Sequence, residues 1–187
     1  MDGRTLLDIL LIAERLKDTT RHCYTAKGRP ESVAEHSWMM TLMAFFMRDE
    51  FPEVDMDKVI RMCIIHDLGE CFTGDIPAFE KNKDDEKIEE TLLNNWVSTL
   101  PEKYSIEMKE LYLEMSALKT TEAKVYKSID SLEAVIQHNI SDLSTWIPKE
   151  FDLNLTYGND KVTFSDYLTS LRKLIREDTI NKIKNEK

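Results

Sequence analysis

An imidazole and a carboxylate stand side by side at His66-Asp67, closing an apolar run, Val59-Ile60-Arg61-Met62-Cys63-Ile64-Ile65. Burying such groups without partners costs on the order of 2–7 kcal/mol each. A divalent cation would satisfy both, because neutral imidazole and carboxylate together suit borderline metals. Other donors are at hand. His36 lies on an apolar stripe with Val33, Met40 and Met43, where a lone histidine is more often a hydrogen-bonded core residue than a ligand. Asp130 sits beside the strongest apolar helix face, as either a border residue or the partner of a buried cation. His138 is two turns beyond it, roughly 12 Å away along a helix, too far to share one ion with Asp130. Glu70 and Asp75 bring two carboxylates close to the His66-Asp67 pair, a placement suited to proton transfer or substrate contact. His36, His66, Asp67 and Asp130 could thus converge from three helices on one divalent metal. Two His and two Asp leave positions for water and a phosphate oxygen, as a hydrolytic site requires.

The elements that must carry these residues are helical. Leu6, Ile9, Leu10, Ala13 and Leu16 predict an amphipathic first helix from near Gly3 to Lys17. A polar loop, 18–30, follows and concentrates Arg21, Lys27 and Arg29. The spacing of Ser32 and Glu35 predicts a capping box opening the helix of His36. That helix is apolar almost all round, with Trp38, Phe45 and Phe46, so it is either central or at a subunit interface. Pro52 breaks the chain, and Asp55 or Asp57 opens the helix that carries His66 and Asp67, with Gly69 as its stop. Residues 70–78 read as a turn-rich loop. Helices are expected at about 84–100 and 106–118, separated by Pro101, and a long one from Thr121 to about Asp142. Residues 151–161 read as a loop or extended cover, and Ser165 caps a last helix.

Composition narrows the classes. The chain has 187 residues, 42% of them hydrophobic, with 5 Gly and 5 Pro, a scarcity of turn residues that disfavours an all-β fold. The expectation is an all-α, single-domain bundle of about six to eight helices over 1–187, with a metal-site core at about 4–145 and a C-terminal loop and helix at 146–187. A formal charge of −10 argues against a nucleic-acid polymer as partner. No run is long enough to span a membrane, and Asp8 and Glu14 interrupt the only stretch like a signal core. Cys23, Cys63 and Cys71 form no CxxC pair and fit reduced thiols of a cytoplasmic protein, more as packing residues than as ligands. Neither a glycine-rich phosphate loop nor a GxSxG signature is present.

The order H…HD…D on a helical chain resembles the HD-domain metal-dependent phosphohydrolases, and within them the branch of the 5′-deoxynucleotidases. Three stretches carry the resemblance: Arg29-Pro30-Glu31-Ser32-Val33-Ala34-Glu35-His36-Ser37; His66-Asp67-Leu68-Gly69-Glu70 with Gly74-Asp75-Ile76-Pro77; and Lys127-Ser128-Ile129-Asp130-Ser131-Leu132-Glu133-Ala134. The resemblance implies one divalent metal per subunit (Co, Mn, Zn, Fe or Mg) held by His36, His66, Asp67 and Asp130. It implies Glu70 as general acid/base working with a metal-bound water, and Asp75, Ile76, Pro77 and Ala78 against the nucleoside sugar. Arg21 would orient the 5′-phosphate, and with Glu70 and Asp67 it makes up the catalytic set. The implied substrate is a nucleoside 5′-monophosphate and the implied assembly a homodimer. One position departs from the pattern. Characterised bacterial members carry a tryptophan after the arginine that helps reject a ribose 2′-hydroxyl; this chain has His22 there, against the substrate.

Two other readings compete. A two-metal HD phosphodiesterase or oxygenase needs additional His ligands, and no histidine occurs between His66 and His138. A degenerate module that binds nucleotide without turnover, or an enzyme for another small phosphate ester, would differ in lacking Glu70 or in its pocket.

Overall fold

The structure is a computed structural model that describes residues 1–77 and 79–185. Among these residues there are eight helices of nine residues or more: α1 (Gly3–Ala13), α2 (Val33–Met47), α3 (Met56–Ile65), α5 (Lys83–Val97), α6 (Glu102–Ala117), α7 (Thr121–Ile140), α8 (Pro148–Thr156) and α9 (Asp166–Asn185). A single-turn helix, α4 (Glu70–Thr73), and a two-stranded antiparallel hairpin, β1 (Thr20–Tyr24) with β2 (Pro30–Ser32), complete the fold. The architecture is all-α, as expected.

Local chemistry explains most boundaries. The Ser32 hydroxyl accepts from the Glu35 amide while the Glu35 carboxylate accepts from the Ser32 amide, the capping box the spacing predicts. Asp55 caps α3 by accepting from the Lys58 amide at 2.9 Å, and the Thr120 hydroxyl caps α7. Leu168 donates its amide to the Ser165 hydroxyl at the start of α9.

The main core gathers Met40, Ala44 and Met47 of α2, Val59 and Met62 of α3, Ile129, Leu132 and Val135 of α7, and Leu168 and Ile175 of α9. Full burial of each such side chain contributes about 1.5–3 kcal/mol. The long helix α7 lies in the middle of this core, and α2 and α3 pack against it from the side that carries His36 and His66.

Four expectations need correction. Residues 18–30 are not a plain loop: 20–24 and 30–32 pair, with Thr20 opposite Ser32 and Tyr24 opposite Pro30, and Gln137 of α7 donates to the Tyr24 carbonyl at 2.7 Å. Of the loop or extended cover expected over 151–161, residues 151–156 belong instead to the helix 148–156, because Pro148 sits at its first turn and Glu150 accepts from the Ile147 amide, while 157–161 are turn. The first helix proper ends at Ala13 and tightens into a 3₁₀ turn, Glu14–Lys17. Gly69 does not stop α3, since its backbone is helical; the left-handed turn that ends α4 is at Gly74, φ +77°, where a side chain would be strained.

Candidate metal centre

His36 enters from the first turn of α2, His66 and Asp67 from the corner between α3 and α4, and Asp130 from mid-α7. Each imidazole has one nitrogen held from behind. His66 Nδ1 donates to the Cys63 carbonyl at 3.0 Å, and His36 Nδ1 donates to the Glu133 carboxylate. Both Nε2 atoms are thereby turned to the same space, the usual arrangement behind metal-ligating histidines. His36 Nε2 is 3.2 Å from Asp130 Oδ1, and His66 Nε2 is 2.8 Å from Asp67 Oδ2. His66 Nε2 is buried and makes no hydrogen bond. An imidazole lone pair so close to a carboxylate is repulsive unless positive charge lies between them. His36, His66 and Asp67 offer ligand atoms all within 4.8 Å of one another, with Asp130 adjoining through His36. The donor set therefore fits a divalent ion.

Electrostatics point the same way. Burial and the neighbouring Arg21 favour a neutral His36, but Asp130 and Glu133 outweigh them and hold its pKa up at about 9. Burial alone would raise Asp67, yet His66 and then His36 bring it down to about 2. Asp130 is likewise held well below the usual carboxylate range, where Lys127, His36 and His66 overcome its burial. Both carboxylates are anionic donors. Glu70 behaves oppositely. Burial, then the charges of Asp67, Asp75 and Glu89, push it up to about 10 against the opposing Lys81, and its Oε2 is buried without a partner. Such a group takes or gives a proton readily when its surroundings change charge.

A cavity of about 290 Å³ opens over these groups. Arg21, His22, His36, Asp67, Glu70, Asp75, Ile76, Pro77 and Asp130 all line it, so every site residue read from the sequence borders one space except His66, which backs it, and Ala78, which lies outside the described residues. Arg21, on β1, is nearly buried and uses Nη1 for both Glu31 Oε2 (3.1 Å) and Glu133 Oε2 (3.4 Å). A guanidinium has five N–H donors, so capacity for an anion remains. Burial outweighs the attraction of Arg21 and raises the Asp75 pKa. Burial first, then the charge of Arg21, lowers His22 to about 4; burial, then His22 and Arg21, lowers His138 to about 3.

Several residues of the site were not picked out beforehand. Lys127 Nζ is 2.6 Å from Asp130 Oδ2, and Glu133 joins His36 to Arg21. Both lie three residues from Asp130 on one face of α7, a spacing that would have exposed them. Tyr112 of α6 donates to the Ile65 carbonyl at 2.6 Å, fixing the end of α3 just before His66. Leu153, Asn154 and Tyr157 close the far wall and had no signal while 151–161 read as extended.

A family model described as HD domain matches residues 13–172. The chain belongs to the HD-domain family. The human protein named 5′-deoxynucleotidase HDDC2 is 32% identical over 139 residues, covering 72% of this chain and 67% of its own. The fission-yeast 5′-deoxynucleotidase hdd1 is 30% identical over 141 residues, 71% of this chain and 70% of its own. Among solved structures, a predicted metal-dependent phosphohydrolase of Magnetospirillum magnetotacticum superposes with TM-score 0.80 at 23% identity, over 96% of this chain and 93% of that one. The cyanophage S-2L HD phosphohydrolase DatZ, solved with dA and one catalytic Zn²⁺, superposes with TM-score 0.54 at 17% identity over 94% of each chain. These two share the fold of this chain.

Proposed function

We propose that this HD-domain protein is a metal-dependent phosphohydrolase that removes the 5′-phosphate from nucleoside monophosphates. The observation that carries it is the convergence of His36, His66, Asp67 and Asp130 beside Glu70 and Arg21 around one small cavity. A divalent ion held there supplies Lewis acidity to a phosphoryl oxygen and lowers the pKa of water toward neutrality. The protein's own groups do the rest. Arg21 holds the phosphate and meets the negative charge that grows on it. Glu70 passes a proton through its carboxyl group as the ester P–O bond breaks. Asp75 accepts from a sugar hydroxyl, with Ile76 and Pro77 forming the ledge beneath and His22 facing the sugar. At about 290 Å³ the cavity is at the small end of ligand-sized pockets, which favours a mononucleotide over a dinucleotide or polymer.

The ion is one of Zn²⁺, Mn²⁺, Co²⁺, Fe²⁺ or Mg²⁺, all compatible with a His₂Asp₂ set. Residues 1–187 act as one domain, a homodimer in the cytoplasm. Three free buried cysteines and the exposed Trp38, Phe45 and Phe46 of α2 support the last two points. No described helix is long and apolar enough to cross a membrane.

The decisive experiment gives purified protein Co²⁺ or Mn²⁺ and a panel pairing each deoxynucleoside 5′-monophosphate with its ribonucleotide. Phosphate release from at least one member is expected, and the paired rates measure sugar selectivity. No release from any nucleotide with any divalent metal would overturn the reading.

A further inference from the structure

Beside the same cavity, which His22 and His138 line, and separate from the His36-His66-Asp67-Asp130 cluster, three elements bring a second set of metal-ligating side chains together. β1 supplies His22 and Cys23, α7 supplies His138, and α8 supplies Glu150. Cys23, His138 and Glu150 are buried, and His22 is half-buried with its Nδ1 lacking any partner. Cys23 Sγ is 3.4 Å from His138 Nε2. Glu150 Oε1 is 3.8 Å from His138 Nε2 and 3.4 Å from His22 Nε2. The ligand atoms of His22, Cys23 and His138 all lie within 4.8 Å of one another. Zinc bonds of about 2.0–2.3 Å in a tetrahedron place neighbouring ligand atoms roughly 3.3–3.8 Å apart. The Cys23–His138, His22–Glu150 and His138–Glu150 spacings, 3.4, 3.4 and 3.8 Å, have that size.

Glu150 is free to take part. Its Oε2 accepts from the Ile147 amide at 2.8 Å, which fixes the carboxylate and leaves Oε1 facing both imidazoles. Arg21 is the nearby cation, and its Nη1 is paired with Glu31 and Glu133. A thiolate and a carboxylate from this cluster would neutralise a divalent ion locally.

We propose that His22, Cys23, His138 and Glu150 form a second metal site, selective for Zn²⁺ or a similarly thiophilic divalent ion. Binding displaces the Cys23 thiol proton to solvent and leaves a thiolate on the metal. The site ties β1, α7 and α8 together and sets the position of His22 against the substrate. His138 lies roughly 12 Å from Asp130 along α7, so this is a separate structural centre, not the second half of a dinuclear catalytic one.

Cobalt(II) tests it, because a thiolate ligand gives a near-ultraviolet charge-transfer band that His and Asp ligands cannot give. Protein titrated with Co²⁺ alone is expected to bind two ions per chain and to show that band. Cys23→Ser and His138→Gln should each lose the band and one ion, while His66→Ala should keep the band. Should either cluster variant fail to fold, the other together with the wild-type spectrum still decides. Wild-type protein with no thiolate band, or a band that survives Cys23→Ser, would overturn the proposal. The metal count and spectrum do not depend on turnover, so they stand or fall separately from the nucleotidase reading.

Discussion

Glu133 is wholly buried, and its carboxylate accepts from His36 Nδ1 and from the Arg21 guanidinium at once. One side chain of α7 thus orients a proposed metal ligand on α2 and the proposed phosphate-binding cation on β1. It touches neither metal nor substrate in this reading; it is a positioning residue.

Glu133→Gln keeps the shape and one acceptor but removes the charge behind His36. Loss of a carboxylate that orients a ligating histidine typically costs about 10–100-fold in metal affinity. Titration with Co²⁺ should show a weakening of that order, and kcat at saturating metal should recover in large part. An unchanged affinity would mean that Glu133 serves packing alone.

Glu70→Gln separates proton transfer from binding. Its carboxyl group is pushed up to about 10 by burial and by Asp67, Asp75 and Glu89. The variant should keep its metal and its substrate affinity while kcat falls about 10²–10⁴-fold. Elemental analysis with steady-state kinetics is sufficient to check this, and undiminished turnover would remove the acid/base role.

The α2 capping box predicts a pH dependence of stability. Hydrogen bonding from Arg29, then from Ser32 against a little burial, lowers Glu35 to about 2 in the folded protein, from an ordinary value near 4.5. With the folded pKa depressed, the stabilisation is full above about pH 4.5 and is lost as pH falls toward 2. The Arg29 pair is solvent-exposed and adds little, and a Gln can still accept from the Ser32 amide, so the loss on Glu35→Gln is at most about 0.5–1 kcal/mol, or roughly 1–4 °C in Tm. The difference in Tm between wild type and variant should be present at pH 7 and shrink at pH 3. A constant difference across that range would assign the effect to something other than the Glu35 charge.

What could be read from the sequence was local. Ser32 and Glu35 announce a helix start because the two hydrogen bonds involved span three residues. His66-Asp67 marks itself because two polar groups end an apolar run. The α8 helix was hidden for an equally physical reason. Phe151, Leu153 and Leu155 alternate with polar residues, a strand period, and the helix is secured by a distant partner: Arg172 of α9 donates to the Asn154 and Tyr157 carbonyls at 2.9 Å. The hairpin of residues 20–32 was hidden in the same way, because its strands are short and β1 is held down by Gln137 of α7.

Local pattern carried the helical class, the capped start of α2, a cap for α3 at either Asp55 or Asp57, and which side chains are fit to meet a cation; packing chose Asp55. The tertiary structure fixed which nitrogen of each histidine is left for the proposed metal, because Glu133 and the Cys63 carbonyl take the other one. It also decided that His22, Cys23, His138 and Glu150 meet, although the chain keeps the first pair more than a hundred residues from the others. Donor identity is a property of composition. Donor convergence depends on packing across elements, and no pattern within a single element encodes it.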